Sequence, residues 1–249
     1  MIRHAEPDYS IDSLTPKGRV EAELLSRRLI RVAREEEILG MYVSPLGRAR
    51  ETADYTLRPL NREAEILPWL REFRGTGYDP DQKCIRNCWD LKPRTWHAHP
   101  LLGDPDHFLE DPLYMQGNVA EIWRETREGV DELLRRHGYH RDGPVYRCDH
   151  NTKGVIMLFC HFAIGMAVMA CLTRMSPVPL WQNTLMVPSS VTTLITEERV
   201  QGEVSFRCVQ LGDISHLYAA GERWSTAGLF PECYDGRDST DPPEWGSKA

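Results

Sequence analysis

Arginine and histidine follow three separate apolar runs in this 249-residue chain. Arg3-His4 comes after Met1-Ile2, Ser44 to Arg48 comes after Met41-Tyr42-Val43, and His161 comes after Val155 to Cys160. If each run is a strand of one parallel sheet, these residues gather beyond the carboxyl ends of the strands, where open α/β sheets bind ligands. Two histidines and two arginines then converge on one crevice. Arginine forks match phosphate oxygens two at a time, and helix N-termini add N–H donors and a positive dipole. A neutral imidazole in such a crevice can attack phosphorus to form a phosphohistidine, while the guanidiniums spread the charge developing on the transferring group. With two arginines and a second histidine present, this chemistry needs no metal and no other cofactor.

The elements that must hold these residues are legible around them. Thr15-Pro16-Lys17-Gly18 offers a capping hydroxyl and then proline at the first helical position. Behind it, Val20, Leu24, Leu25, Leu29, Val32 and Ala33 fall mostly at three- and four-residue spacings. Met41 to Ser44 reads as a short strand stopped by Pro45, and a second helix carries Leu46, Ala49, Ala53 and Leu57 until Pro59 ends it. Val155 to Leu172 approaches the length of a membrane span, but His161 and Gly165 interrupt it. It is read instead as a buried strand over 155–160, a turn at His161 and a buried helix from about Ala163. Another helix is expected from Val119 to a cap at Gly138. Val191 to Thr196 and Val204 to Val209 predict an antiparallel hairpin at an edge of the sheet. The expected fold is α/β, a three-layer sandwich with a mainly parallel central sheet flanked by helices and an antiparallel edge hairpin. Residues 1–220 are read as one domain with an insert at about 74–118, which shows no sustained period and runs over the sheet. Residues 221–249 are read as a wrapping or frayed tail.

Thirty basic residues against 37 acidic ones give a formal charge of −7. That excludes a generally basic nucleic-acid binder and leaves room for a local cationic pocket. Seven scattered cysteines do not make a secreted disulfide framework. Met1 to Glu6 lacks the apolar core of a signal peptide, so cytoplasm is the expected compartment and no membrane partner is expected. Cys84, Cys88, His97 and His99 are zinc-ligand types, but their spacing fits standard sites loosely and no metal is expected. Trp89, Trp96, Tyr78 and Tyr114 are read as packing for the insert, or as selectors of substrate shape if it covers the crevice. Singly, each chemistry-bearing residue has an ordinary explanation: His4 a frayed terminus, Arg48 a solvated helix residue, His161 a hydrogen-bonded core histidine. Arg48 in a first helical turn opposes the helix dipole, which points to a bound anion as compensation. Ser44 and Thr52 are read as capping or packing groups.

Four motifs together resemble the histidine phosphatase (phosphoglycerate-mutase-like) superfamily. They are Arg3-His4-Ala5-Glu6, Leu14-Thr15-Pro16-Lys17-Gly18, Ser44-Pro45-Leu46-Gly47-Arg48-Ala49-Arg50-Glu51-Thr52-Ala53 and Cys160-His161-Phe162. Their order and approximate spacing agree, and the resemblance covers about residues 1–75 and 119–218. It implies a phosphoglycerate-mutase-like sandwich with His4 as the phosphorylated nucleophile. Arg3, Arg48 and His161 would hold the phosphoryl oxygens, with the Phe162 backbone N–H as a further donor. The family's proton donor lies in a Leu-x-Glu segment after the second helix; Leu70-Arg71-Glu72 matches it, which makes Glu72 the implied general acid. Glu63, Glu65 and Asp79 are nearby competitors for that role. Ala5 stands where the family usually has glycine, and Glu6-Pro7-Asp8 replaces the Glu-Ser and asparagine of mutases, which leans towards a phosphatase. Only Met1 and Ile2 precede Arg3, so the first strand is expected to be clipped. The expected activity is metal-independent hydrolysis of a small-molecule phosphate monoester through phospho-His4. A mutase-type phosphotransferase and a non-catalytic phospho-ligand binding module remain the alternatives.

Overall fold

A computed structural model describes residues 1–148 and 153–229. The chain opens with β1 (Ile2–Arg3), a small hairpin of β2 (Pro7–Asp8) and β3 (Ser13–Leu14), helix α1 (Pro16–Glu35), β4 (Ile38–Val43), α2 (Gly47–Leu60) and β5 (Glu65–Ile66). A second hairpin follows, β6 (Thr76–Asp79) with β7 (Cys84–Asn87), then the short helices α3 (Pro93–His97) and α4 (Pro112–Met115) and the long α5 (Val119–Arg136). The remainder is β8 (Tyr139–Asp142), β9 (Val145–Cys148), β10 (Val155–Cys160), α6 (Phe162–Thr173), α7 (Pro177–Asn183), β11 (Val191–Val200), β12 (Glu203–Asp213) and α8 (Ser215–Ala219).

Among the described residues the central sheet is mixed and eight-stranded, in the order β5-β4-β10-β1-β11-β12-β9-β8. The four strands from β5 to β1 run parallel, and every pairing from β1 onward to β8 is antiparallel. Helices pack on the two faces around two main apolar clusters, one built on α1, α2 and β4 and the other on α5, α6 and α7. This is the α/β sandwich expected, with the sheet mixed, three parallel pairings against four antiparallel, and with one change of place. The Val191–Val209 hairpin lies inside the sheet, and the antiparallel edge is made by β8 and β9, which pair across Gly143 at φ +57°. The sequence Tyr139 to Cys148 is too short and too charged to show a strand period.

Local signals explain the helix boundaries. The Thr15 hydroxyl accepts from the Gly18 N–H, with Pro16 at the first helical position, so α1 starts as its sequence predicts. Of its expected face Leu25 and Leu29 are buried and Val32 and Ala33 pack on the same cluster, but Val20 is exposed, and Gly18, Glu21, Ala22 and Ser26 are buried as well. α2 runs one residue past Pro59 to Leu60 and ends on Asn61 in the left-handed region. α5 ends as expected, with Gly138 at φ +85° just beyond its last turn. Val155 to Leu172 divides into strand and helix as predicted, and no described helix is long and apolar enough to cross a membrane. Residues 163–171 of α6 are buried all round, which is why this stretch is apolar without a stripe.

The stretch over 74–118 holds a hairpin and short helices, none long enough to show a period. Cys88, Leu91, Leu102, Phe108, Leu113 and Tyr114 anchor it to the α5–α6 cluster. β1 is as short as its sequence suggests, yet it lies between β10 and β11 at the middle of the sheet. The tail is described as far as residue 229 and wraps: Glu222 pairs with Lys17 at 3.8 Å, and the Ser225 N–H donates to Glu21 at 3.1 Å. Residues 230–249 of the expected tail lie outside the described residues.

Candidate active site

β1, β10 and β4 end side by side, since Arg3 pairs with Cys160 and Phe159 with Val43. The ladder continues one step further, with the His4 N–H on the Cys160 carbonyl at 3.0 Å and the Ser44 N–H on the Phe159 carbonyl at 2.9 Å. His4, Ser44 and His161 therefore leave the sheet at one level. All are buried, as are Arg3 and Arg48: His4 is 1% exposed, His161 0%, Arg3 3% and Arg48 9%. His4 is thus no frayed terminus.

His4 Nδ1 lies 2.8 Å from the Ala5 carbonyl oxygen. A carbonyl only accepts, so Nδ1 bears the hydrogen and Nε2 keeps its lone pair. Burial, reinforced by the Arg3 and Arg48 guanidiniums, holds the His4 pKa well below the usual imidazole value and keeps the ring neutral. The His161 ring stands 5.0 Å away, centroid to centroid. Its Nε2 is 2.7 Å from Ser44 Oγ, which also accepts the Leu46 N–H at 3.2 Å. His161 Nδ1 is buried without a partner, and burial, then His4 and the two arginines, lower its pKa strongly.

The Arg3 guanidinium donates through Nη1 to the Met186 carbonyl, lies 5.9 Å from the Phe162 ring and has Gly228 against its Nη2 side. Arg48 donates through Nη1 to Asp12 Oδ1 at 2.6 Å. The Nε atoms of both arginines are buried without partners. Thr52 ties the segments together, accepting the Ala5 N–H at 3.0 Å and donating to the Arg48 carbonyl at 2.8 Å.

Glu72 reaches the start of α6. Its Oε1 accepts N–H bonds from Phe73 at 2.9 Å, Ala163 at 3.0 Å and Ile164 at 3.1 Å. Burial raises its pKa, and those donors with Arg3 and Arg48 only partly oppose the rise. The competing carboxylates lie elsewhere. Glu63 is exposed, Glu65 pairs with Arg136 at 2.8 Å, and Asp79 is buried in the second hairpin beside Arg86. Phe162 is the first residue of α6, so its N–H belongs to the turn whose amides have no intrahelical acceptor.

Four residues at the site were not assigned a role there from the sequence. Asp12 is one: in the first helical turn, where the dipole disfavours a cation, this carboxylate compensates Arg48. Tyr9 is another, its ring 5.3 Å from the Arg48 guanidinium carbon. Ser44 and Thr52 sit inside a recognised motif and do more than cap, the first orienting His161 and the second joining two segments. The zinc-ligand types are dispersed. Cys84 is exposed on β7, Cys88 is in the core, His97 stacks on Trp96 at 3.7 Å and His99 bonds Asp111 at 2.9 Å. Among the described residues no three His, Cys, Asp or Glu are grouped to hold a metal ion.

The chain is 28% identical over 221 residues, 87% of its length, to the mitochondrial serine/threonine-protein phosphatase Pgam5 of Caenorhabditis elegans, and it spans 63% of that protein. Among solved structures, a mycobacterial glucosyl-3-phosphoglycerate phosphatase complexed with inorganic phosphate superposes with a TM-score of 0.55. The two are 21% identical over 87% of this chain and 97% of that one. A phosphoserine phosphatase variant from Entamoeba histolytica, bound to phosphoserine, gives the same TM-score of 0.55 at 16% identity, over 87% and 96% of the two chains. The model of the histidine phosphatase superfamily (branch 1) matches residues 1–208, and the chain belongs to that superfamily.

Proposed function

We propose that the chain hydrolyses a small-molecule phosphate monoester through a phosphohistidine on His4. One observation carries this reading. Arg3 Nε, Arg48 Nε and His161 Nδ1 are buried without partners around a neutral His4 whose Nδ1 is already engaged. Buried polar groups without partners are costly, and an oxyanion satisfies all three at once. With the Ser44 hydroxyl donating to His161 Nε2, His161 Nδ1 becomes the donor that faces the phosphoryl group. The relative at 28% identity, itself named a phosphatase, supports hydrolysis.

His4 Nε2 attacks phosphorus, the P–N bond forms and the ester P–O bond breaks. Glu72, whose pKa burial raises, gives its proton to the leaving oxygen. The resulting carboxylate takes a proton from water, whose oxygen attacks phosphorus. The P–N bond then breaks, releasing inorganic phosphate and restoring neutral His4 and protonated Glu72. Arg3, Arg48, His161 and the Phe162 N–H stabilise the charge on the equatorial oxygens, a task that otherwise falls to a metal. Residues 1–220 act as one catalytic unit in this reading.

The test is release of phosphate from 4-nitrophenyl phosphate in EDTA by the unaltered chain and by His4→Ala. EDTA-resistant turnover that disappears in His4→Ala supports the reading, as does an acid-labile phosphoenzyme trapped on His4. Interconversion of phosphoglycerates without phosphate release would instead mark a mutase. Vanadate affinity with no turnover of any ester would mark a binding module.

A further inference from the structure

The turn over residues 9–12 rests on α2 in a way the phosphatase reading does not require. Asp12 Oδ2 accepts the Gly47 N–H at 2.7 Å while Oδ1 accepts from Arg48 Nη1 at 2.6 Å. One carboxylate thus grips both the first helical amide and the outer edge of the guanidinium. The approach is close. A Cβ on Gly47 would lie 2.2 Å from the Asp12 carbonyl oxygen, so glycine is required there. Asp12 itself sits at φ +50°, a left-handed conformation that aspartate tolerates better than most residues. Downstream, the hairpin is fixed to α2 again, by Glu51 accepting from the Leu14 N–H at 3.0 Å and from the Ser13 hydroxyl.

Tyr9 completes the arrangement. One face of its ring lies against the Arg48 guanidinium at 5.3 Å, and its phenol sits beside Arg3. The residue is nonetheless 59% exposed, and its neighbour Ile11 is 68% exposed, so burial of apolar area does not hold this turn in place. The grip on Arg48 does. Asp12 takes Nη1 and Tyr9 lies against the guanidinium, while Nε of Arg48 is buried without a partner.

We propose that Asp12 and Tyr9 are positioning residues, a brace that aims the Arg48 guanidinium into the oxyanion pocket. The inference rests on the phosphatase reading, and vanadate serves as the probe of the pocket. Asp12→Ala should weaken vanadate binding and raise KM for 4-nitrophenyl phosphate by about ten- to a hundredfold, the scale of a misplaced charged donor. Asp12→Asn keeps one acceptor and should recover most of that loss. Tyr9→Phe, which keeps the ring on Arg48 but removes the phenol beside Arg3, should lose less than Tyr9→Leu, which removes both and should lose several-fold. The decisive readout is a double-mutant cycle, in which Asp12→Ala adds nothing once Arg48→Ala is present. Losses that simply add, or a Ki for vanadate unchanged in Asp12→Ala, overturn the brace. Tighter vanadate binding in Asp12→Ala overturns it too, since Asp12 would then be competing with the oxyanion. If Asp12→Ala does not fold, Tyr9→Leu carries the same cycle against Arg48→Ala. An unaltered chain that neither turns over nor binds vanadate would remove the phosphatase reading and the brace together. Normal turnover with additive variants would remove the brace alone.

Discussion

Two buried serine–histidine pairs flank His4, and they look alike. On one side Ser44 Oγ lies 2.7 Å from His161 Nε2; on the other Ser189 Oγ lies 3.3 Å from His216 Nε2. In both, the histidine Nδ1 is buried without a partner, and burial lowers the ring's pKa, for His216 to about 4. The Ser189 pair even touches His4, through the Ser189 N–H on the His4 carbonyl at 2.9 Å. The surroundings separate them. His161 stands at the N-terminus of the twelve-residue α6, facing His4, with both guanidiniums near. His216 belongs to the five-residue α8, and the charges around it, Arg28 and Asp213, already pair with each other at 2.7 Å. A serine–histidine contact therefore does not define a site. What distinguishes the first pair is the two guanidiniums beside it, Arg3 bonded to a carbonyl and Arg48 to a carboxylate.

Substitutions sharpen that contrast in descending order of effect. His4→Ala removes the proposed nucleophile, and phosphate release should fall by about a thousandfold or more. His161→Ala removes one proposed oxyanion donor, so kcat/KM should drop by roughly a hundredfold, the usual loss for such a group. Ser44→Ala leaves the ring in place but frees its orientation, and a loss near tenfold is expected in the same assay. His216→Asn should change kcat/KM by less than about threefold, as expected of a group outside the reacting shell. A loss from His216→Asn that matches His161→Ala would erase the distinction drawn above.

The second pair should show itself in stability instead. His216 is held neutral down to about pH 4 when folded, while an unfolded histidine takes up its proton near 6.5. Its contribution is therefore complete above pH 6.5 and is lost progressively as pH falls towards 4, where the unfolded chain binds the proton and the folded chain does not. Thermal midpoints measured across that window should fall less steeply with acid in His216→Asn. An unchanged slope would mean that His216 is not buried neutral.

The parts of the site that sit directly after strands were legible in the sequence. Arg3, His4, Arg48 and His161 each lie within a residue or two of a helix or strand boundary, so predicting the elements placed them together. Glu72 came from the resemblance alone, because its contact with the Ala163 and Ile164 amides joins segments that share no local pattern. Asp12 was invisible for a similar reason: its partner Gly47 is far along the chain, and an Asp in a polar turn is an ordinary turn residue. The sheet was legible where strands are buried on both faces, as in β10, and not where short charged strands form the edge, as in β8 and β9. The buried Glu21 broke the apolar stripe expected of α1. Its oxygens accept the Glu6 N–H at 2.9 Å and the Ser225 N–H at 3.1 Å, contacts that exist only in the tertiary structure.

The place of β1 has a consequence for the order of assembly. Its two residues pair with 159–160 on one side and 191 on the other, and the Met1 ammonium donates to the Thr192 carbonyl at 2.8 Å. No local hairpin can hold this strand, so the loop closed before it docks is among the longest in the chain. Helices α1, α5 and α6 can form early from nearby contacts, whereas the slot between β10 and β11 must exist before Arg3 and His4 have anywhere to go. On refolding from denaturant, helical circular dichroism should return first and phosphatase activity last.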